Sequence, residues 1–172
     1  MTEELKPLFS REDIAETVAR LAREISADYA DKQLVLVGVL KGAFVFLADL
    51  IRDLTIPGEI DFVRLASYGS RKESSGEVVV KKDVEITLAG KDVLIVEDIV
   101  DTGLSLKFLM DHLRTHNPSS LRVCALVDKR FRRKIEVTVD YTGFAMDDGF
   151  IVGYGIDFNE RYRTLPDICI ID

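Results

Sequence analysis

The sequence contains no tryptophan, and among its 172 residues only two are cysteine, two are histidine and four are proline. Two cysteines are too few for a disulfide framework or a multi-cysteine metal centre. Since Cys124 and Cys169 each lie inside an apolar run, we interpret them as buried free thiols. No apolar stretch is long enough to span a bilayer, and no basic-then-apolar leader opens the chain. We therefore expect a cytoplasmic protein with no membrane partner.

Positive charge is also scarce. The chain has 23 Lys and Arg residues against 30 Asp and Glu residues, which gives a net charge of −7 and an isoelectric point near 5.0. Nucleic acids and anionic membranes attract basic surfaces, so this balance argues against both as partners. One basic cluster follows Lys129, and in so acidic a chain we interpret its members as a solvated surface: Arg130, Arg132, Arg133 and Lys134.

Apolar periodicity predicts alternating strands and helices. We predict helices over 10–30 and 43–54 and after Gly103, and strands over 34–40, 60–66, 93–96 and 121–127. Shorter strands are predicted at 137–139, 150–152 and 168–171, hairpin strands within 77–87, and a mobile loop at 67–76. This order is typical of an α/β fold with a twisted, mostly parallel sheet flanked by helices on both faces. The length suits a single domain over 1–172.

Acidic side chains concentrate where a buried strand ends. The apolar run Val93–Val96 is followed directly by Glu97 and Asp98, and Asp101 comes three residues later. At a strand tip, Glu97 and Asp98 can accept hydrogen bonds from sugar hydroxyls or face a divalent cation, and Asp101 is placed to take a proton. These acids favour a ligand that brings hydroxyl groups and a metal ion.

An anion site follows the acids. Thr102, Gly103 and Ser105 open a helix whose apolar residues recur at helical spacing. A strand, a short polar turn and a helix N-terminus place backbone N–H groups where an anion can sit. The simplest ligand with these parts is a phosphorylated sugar with free hydroxyls and a metal-bound second anion. The alternative is a polar turn that caps a Rossmann-like helix, with the acids present only to suit the helix dipole.

The string Val-Glu-Asp-Ile-Val-Asp-Thr-Gly-Leu-Ser at 96–105 resembles the 5-phosphoribosyl-1-pyrophosphate (PRPP) signature of type I phosphoribosyltransferases, and is similar to their hypoxanthine-guanine branch. The string from Asp148 to Glu160 is a second match to that branch, and the chain as a whole, from Leu34 to Asp172, is similar to its bacterial form. The resemblance implies a sheet with a small hood and a flexible β-hairpin lid. It implies transfer of 5-phosphoribosyl from PRPP to N9 of hypoxanthine or guanine, with Mg²⁺ as cofactor, in a homodimer or homotetramer.

The resemblance also implies residue roles around PRPP, with Asp101 as the catalytic base. It implies PRPP and phosphate contacts from Glu97, Asp98, Asp101, Thr102, Gly103, Leu104 and Ser105. It implies pyrophosphate contacts from Leu40, Lys41, Gly42 and Arg163, and metal ligands from Asp157, Glu97 and Asp98. Leu104 stands where some relatives carry lysine, which leaves it a backbone role. The Leu40–Lys41 peptide bond is expected to be cis.

Recognition of the base is implied for Lys129, Phe150 and Ile151. A lysine ammonium has only donors, so Lys129 favours the 6-oxo group of a purine over the 6-amino group of adenine. Phe150 would stack on the base, and Ile151 would add backbone contacts. Without the resemblance, Phe150 would be a core residue and Lys129 a solvated one. Ser67 and Tyr68 are implied lid residues that exclude water from a cation-like transition state.

Two readings from other classes stay open. A regulatory protein that binds PRPP without catalysis would lack a catalytic acid or lysine, whereas Asp101, Lys41 and Lys129 are all present. A transferase for a pyrimidine base would lack the pair of Lys129 and Phe150.

A further pair, His112 and His116, is four residues apart on the helix after the acidic turn, and that spacing can bind zinc. The sequence offers no evident third ligand. We therefore interpret the two histidines as surface side chains.

Overall fold

The computed structural model of the protein describes residues 4–68 and 77–172, with only the backbone of Tyr68. Within these ranges the helices are α1 (Arg11–Asp28), α2 (Phe44–Asp53) and α3 (Leu104–Arg114). The strands are β1 (Leu5–Phe9), β2 (Leu34–Leu40), β3 (Glu59–Tyr68), β4 (Glu77–Lys82), β5 (Asp92–Val100), β6 (Ser120–Lys129), β7 (Tyr141–Met146), β8 (Ile151–Val152) and β9 (Ile168–Ile171).

The central sheet has the strand order β4-β3-β2-β5-β6-β7. The five neighbouring strands β3, β2, β5, β6 and β7 pair in parallel, and β4 pairs antiparallel to β3 at one edge of the sheet. A second, antiparallel sheet has the order β1-β9-β8. The mostly parallel sheet confirms the predicted fold class. It also brings the carboxyl ends of β2, β5 and β6 to the same edge, as parallel pairing requires.

Alternate residues of the buried strands pack against different helices, because successive side chains point to opposite faces of a sheet. In β2, Leu34 and Leu36 belong to a hydrophobic cluster that includes α1 and α2. Val35 and Val37 belong to a second cluster that includes α3. The continuous apolar run of β2 is thus explained by burial on both faces, and the prediction of helices on both faces is confirmed.

Two strand predictions near α3 were wrong. The segment 84–86 is not a strand, and Val84 and Ile86 instead pack on the α3 cluster from an irregular loop. The segment 137–139 is likewise irregular, and its Val137 and Val139 face the same cluster. The alternation of apolar residues in both segments comes from burial of side chains and not from strand pairing. The strand in the second region is β7, which the sequence analysis missed.

The N-terminal strand β1 was also missed. It pairs with β9 at the edge of the small sheet and contains Pro7, a residue that weakens any strand signal and is tolerated at sheet edges. In the predicted loop at 67–76, Ser67 and Tyr68 instead end β3, while residues 69–76 lie outside the described residues.

The sparse residues behave as the composition suggested. Cys124 and Cys169 are free and buried, which confirms their interpretation as core thiols. Burial raises the pKa of both thiols, so they stay protonated at neutral pH. Across the described ranges, every helix is too short or too polar to cross a membrane.

A buried carboxylate in β3 holds the loop between β4 and β5. Oδ2 of Asp61 accepts hydrogen bonds from the backbone N–H groups of Glu85 (2.7 Å) and Ile86 (3.0 Å), and Oδ1 accepts from that of Phe62 (2.7 Å). Burial alone would raise the pKa of Asp61, but these N–H groups and the Lys82 ammonium outweigh it and lower the pKa. The anion of Asp61 therefore replaces the strand pairing that this loop lacks.

Replacing Asp61 with Asn should lower the free energy of unfolding at pH 7 by about 2–3 kcal/mol, because hydrogen bonds to a charged acceptor are lost. Since the folded-state pKa lies below the unfolded value, this contribution is present above about pH 4 and is lost as the pH falls further. Urea unfolding at a series of pH values measures the difference. Asp111→Asn, at an exposed acid on α3, is the control and should change stability little. Equal losses in the two variants would contradict the role of Asp61.

Candidate active site

Three separate chain segments meet where β2 and β5 end. An added Cβ at Gly42, just after β2, would lie 1.9 Å from Oδ2 of Asp98 in β5. One at Gly155 would lie 2.8 Å from the carbonyl oxygen of Gly42. The turn after β2 therefore lies directly against the Asp98 carboxylate, at a separation that only glycine allows. The peptide bond between Leu40 and Lys41 in this turn is cis, as expected.

Glu97 and Asp98 form an acidic pair in which Glu97 is buried and Asp98 is partly buried. Burial and the adjacent carboxylate of Asp98 raise the pKa of Glu97 well above its ordinary value. Burial also raises the pKa of Asp98, and Asp157 adds repulsion, whereas the backbone N–H of Ile99 and the Arg163 guanidinium oppose the rise. Carboxylates that repel one another are the ligands that a hard cation such as Mg²⁺ prefers. Mg²⁺ is commonly held by one or two protein carboxylates and several waters, so Asp98 and Asp157, which act on each other, fit the metal that the resemblance implies, with Glu97 beside Asp98.

Asp101 directly follows β5 and keeps one carboxylate oxygen uncommitted. Its Oδ1 is buried and has no hydrogen-bond partner among the residues that the structure describes. Its Oδ2 lies 3.5 Å from Nη1 of Arg132, and its backbone carbonyl accepts from Nε of Arg133 at 3.0 Å. A buried carboxylate oxygen is costly unless it receives a donor. Asp101 is thus suited to accept a hydrogen bond or a proton from a bound molecule.

The start of α3 forms an anion cradle. Gly103 precedes the helix in a left-handed conformation with φ of +85°, and the N–H groups of the first turn have no acceptor inside the helix. The carbonyl of Thr102 accepts from the N–H of Lys134 at 2.9 Å and ties the turn to the segment after β6. The side chain of Leu104 points to solvent, in keeping with a backbone role. A cavity of about 120 Å³ lies here, lined in part by Glu97, Asp101, Thr102, Gly103 and Ser105.

Lys129 and Phe150 are linked through one carbonyl. Lys129 ends β6 with only 6% of its surface exposed, and its Nζ donates to the carbonyl oxygen of Gly149 at 2.6 Å. Burial lowers the pKa of Lys129, while the carboxylates of Asp101 and Asp148 oppose the change. Phe150, which follows Gly149 in the chain, is 64% exposed and therefore not part of the core. A buried ammonium beside an exposed ring offers a donor and a stacking surface to a flat polar ligand.

Ile151 follows Phe150 as the first residue of β8, with its side chain buried in the α1 and α2 cluster. Its backbone is the part that remains for ligand contacts. Ser67 is exposed at the end of β3, and the side chain of Tyr68 lies outside the described residues. The structure thus groups most of the predicted site residues at the carboxyl edge of the sheet.

The segment after β8 carries the remaining predicted residues. Arg163 donates from Nη1 to the carbonyl of Gly155 (2.8 Å), and its Nη2 lies 3.2 Å from Oδ1 of Asp157 and 3.3 Å from Oε1 of Glu160. Glu160 also binds Lys41, since Lys41 Nζ lies 3.1 Å from its Oε2. Both cations assigned to pyrophosphate are therefore paired with the same exposed carboxylate.

This segment also contains backbone conformations that side chains rarely adopt. Positive φ angles occur at four of its non-glycine residues: Tyr154, Asn159, Glu160 and Tyr162. Such conformations persist only when their surroundings impose them, and they are frequent at ligand sites.

Sequence analysis missed the contribution of Arg133. Its side chain is only 18% exposed, whereas we had interpreted the whole basic cluster as solvated surface, and for Arg133 that was wrong. It donates to Asp128, to the carbonyl of Lys129 (3.4 Å) and to that of Asp101. The reason is Asp128, an acid buried in β6 that requires a cationic partner. The sequence signal that could have predicted a buried arginine is Asp128, an acid inside a strand that is otherwise apolar and buried.

Comparison with known proteins agrees with the geometry. The family model of the phosphoribosyl transferase domain matches residues 6–159. The hypoxanthine-guanine phosphoribosyltransferase of Dictyostelium discoideum is 47% identical over 163 residues, covering 92% of this chain and 91% of the relative. The hypoxanthine-guanine phosphoribosyltransferase of Bacillus subtilis is 42% identical over 166 residues, covering 96% of this chain and 92% of the relative. A crystal structure of a hypoxanthine-guanine phosphoribosyltransferase from Bacillus anthracis matches with a TM-score of 0.93 at 46% identity, covering 98% of this chain and 100% of that one.

Gly103 and Gly90 provide a matched test of the cradle. Both have positive φ, +85° and +75°, but a Cβ at Gly103 would lie 2.8 Å from the carbonyl oxygen of Ile135, whereas one at Gly90 would have no atom of the described residues within 4 Å. Gly90→Ala should cost about 1–2 kcal/mol of unfolding free energy through backbone strain alone. Gly103→Ala should cost about 1–3 kcal/mol more because of the clash. Urea unfolding measures the loss of unfolding free energy in each variant. Equal losses would show that the turn at Gly103 can shift to accommodate the added Cβ without a clash.

Proposed function

The chain belongs to the phosphoribosyl transferase family, and from this premise we propose that it transfers the 5-phosphoribosyl group of PRPP to N9 of hypoxanthine and of guanine. The products are IMP or GMP and pyrophosphate, so the protein is a purine-salvage transferase. The relatives named above support the substrate class. The observation that carries the proposal is the link of buried Lys129 to exposed Phe150 through the Gly149 carbonyl, with the acid Asp101 near Lys129.

The sugar phosphate occupies the cradle at the start of α3. The backbone N–H groups from Asp101 to Ser105 and the hydroxyls of Thr102 and Ser105 donate to the 5′-phosphate, and the helix dipole favours its charge. Glu97 and Asp98 accept hydrogen bonds from the ribose hydroxyls. The distribution of donors and acceptors supports this orientation, since the amides lie at the helix start and the carboxylates at the strand end.

The base lies between Lys129 and Phe150. The Lys129 ammonium exchanges its hydrogen bond to the Gly149 carbonyl for one to the 6-oxo group of the base. Phe150 stacks on the ring of the base. A lysine ammonium cannot accept a hydrogen bond, so the 6-amino group of adenine would leave it unsatisfied. Backbone groups of Ile151 complete the contacts with the edge of the base. This arrangement favours 6-oxopurines.

Pyrophosphate leaves toward Lys41 and Arg163. Both cations are held by Glu160 and can exchange that carboxylate for the more highly charged pyrophosphate. The tight turn of Leu40, Lys41 and Gly42 presents backbone groups to the same anion. Asp157, Glu97 and Asp98 would hold Mg²⁺, directly or through its waters, and when bound the ion neutralises charge on the leaving group.

Asp101 is the general base. Its uncommitted, buried Oδ1 accepts the proton of N7 as N9 bonds to C1′ and the bond from C1′ to pyrophosphate breaks. Ser67 and Tyr68 act as lid residues that keep water away from the cation-like ribose. The proposal further includes one domain over 1–172, a homodimer or homotetramer, and a cytoplasmic location.

Replacing Asp101 with Asn should lower kcat by about 10²–10⁴-fold, because the amide cannot accept the proton. The affinity for PRPP in the presence of Mg²⁺, measured by calorimetry, should stay close to that of the wild type, since the cradle amides are unchanged. Full activity of the variant would remove Asp101 from the mechanism.

A panel of bases tests the substrate class. With PRPP and Mg²⁺, hypoxanthine and guanine should be converted, whereas adenine and uracil should not. In Lys129→Gln, whose amide also offers an acceptor, the ratio of kcat/KM for hypoxanthine over adenine should fall at least about tenfold. Turnover of uracil would favour a pyrimidine transferase, and PRPP binding without turnover of any base would favour a regulatory protein.

A further inference from the structure

A three-residue cluster lies outside the site described above. Asp83, in the loop after β4, faces the two histidines at the end of α3. Nε2 of His112 lies 2.9 Å from both carboxylate oxygens of Asp83, and Nε2 of His116 lies 3.8 Å from Oδ2. One donor atom of each residue falls within 4.8 Å of the others. The interpretation of the histidines as a plain surface pair was therefore incomplete, because the third group comes from a distant part of the chain.

The donors match the needs of zinc. A tetrahedral Zn²⁺ with bonds of about 2.0–2.2 Å keeps its ligand atoms roughly 3.3 Å apart. The distances from the Asp83 carboxylate to Nε2 of His112 (2.9 Å) and to Nε2 of His116 (3.8 Å) lie on either side of that value. His112 lies in the last turn of α3 and His116 in the turn just beyond it, and their ring centroids are 5.4 Å apart. The four-residue spacing of these two histidines is one that zinc sites use. Two imidazoles and one carboxylate with remaining positions for water form a site typical of first-row transition metals and unlike an all-oxygen Mg²⁺ site.

The third ligand is anchored before any metal arrives. Oδ1 of Asp83 accepts from the backbone N–H of Val84 at 2.8 Å, which orients the carboxylate. Val84 and Ile86 fix the loop by packing on the α3 cluster, and Asp61 accepts from the loop N–H groups. The Asp83 carboxylate is therefore held facing both histidines, in the way that neighbouring hydrogen bonds orient a metal ligand.

The histidine end of the cluster is equally defined and open to solvent. The N–H of His116 donates to the carbonyl of Leu113 at 3.0 Å, which continues the helical turn beyond α3. The side chains of His112, His116 and Asp83 are 26%, 31% and 42% exposed. A metal ion can therefore reach the cluster without unfolding. Since α3 rises about 1.5 Å per residue, His112 lies roughly 10 Å along the helix from Ser105 in the phosphate cradle.

We propose that Asp83, His112 and His116 form a binding site for a divalent first-row transition metal, with Zn²⁺ as its preferred ion, separate from the Mg²⁺ site of the reaction. The ion completes its coordination with water. By joining the loop after β4 to the end of α3, it stabilises the folded protein.

Untagged protein, cleared of metal by a chelator, is titrated with Zn²⁺ by calorimetry in saturating Mg²⁺. The magnesium keeps the carboxylates of the active site occupied. We expect about one equivalent of Zn²⁺ per chain and a higher Tm with Zn²⁺ than without it. His112→Asn, His116→Asn and Asp83→Asn should each bind Zn²⁺ at least about tenfold more weakly, since loss even of an outer-shell partner costs about that much. Asp111→Asn, an exposed acid on the same helix, is the control and should bind as the wild type does.

The scarcity of histidine gives a second readout that needs no variant. The chain holds only two histidines, so the imidazole signals in an NMR spectrum can belong only to His112 and His116. Both signals should shift together as Zn²⁺ is added, with the same apparent Kd as in calorimetry. Zn²⁺ uptake that leaves both signals in place, or that Asp111→Asn weakens as much as His112→Asn does, would overturn the proposal. So would an absence of uptake at micromolar Zn²⁺.

Discussion

Like charges are crowded at the edge where the parallel strands end, and the surrounding structure offsets their repulsion. Burial raises the pKa of Glu97 and of Asp98, and a neighbouring carboxylate adds repulsion in each case, Asp98 at Glu97 and Asp157 at Asp98. Arg163 lies against Asp157, and it also lowers the pKa of Asp98. On the other side of the cradle, Arg133 neutralises Asp128 and holds the carbonyl of Asp101. Arginines from other segments of the chain therefore offset the charges of Asp98, Asp157 and Asp128.

The sequence predicts the parts of this arrangement that depend on local pattern. Buried strands such as β2 and β5 are continuous apolar runs, and the turn that opens α3 carries the residues predicted to bind an anion in consecutive order. The order of strands and helices then fixes which ends meet, because parallel pairing brings all carboxyl ends to one edge. The fold class and the acidic turn before α3 follow from these two facts, whereas the roles of Lys41, Lys129 and Phe150 rest on the resemblance.

The features that escaped prediction depend on partners far apart in the chain. Arg133 is buried because Asp128 needs it, and Asp83 meets His112 only after the loop beyond β4 folds over α3. The wrong strands at 84–86 and 137–139 have the same origin, since their apolar residues pack on a cluster that includes another helix. Periodicity reports that a side chain is buried, but it does not report whether the backbone is paired with a neighbour.

The left-handed residues between Tyr154 and Tyr162 carry a lesson for protein engineering. A redesign guided by local backbone preference would place glycine or asparagine at Tyr154, Glu160 and Tyr162. Such a choice would relax the main chain, but it would delete the hydroxyl that Tyr154 donates to Asp49 and the carboxylate with which Glu160 joins Lys41 to Arg163. In this segment, relief of backbone strain and retention of the side-chain contacts between distant segments are opposed goals.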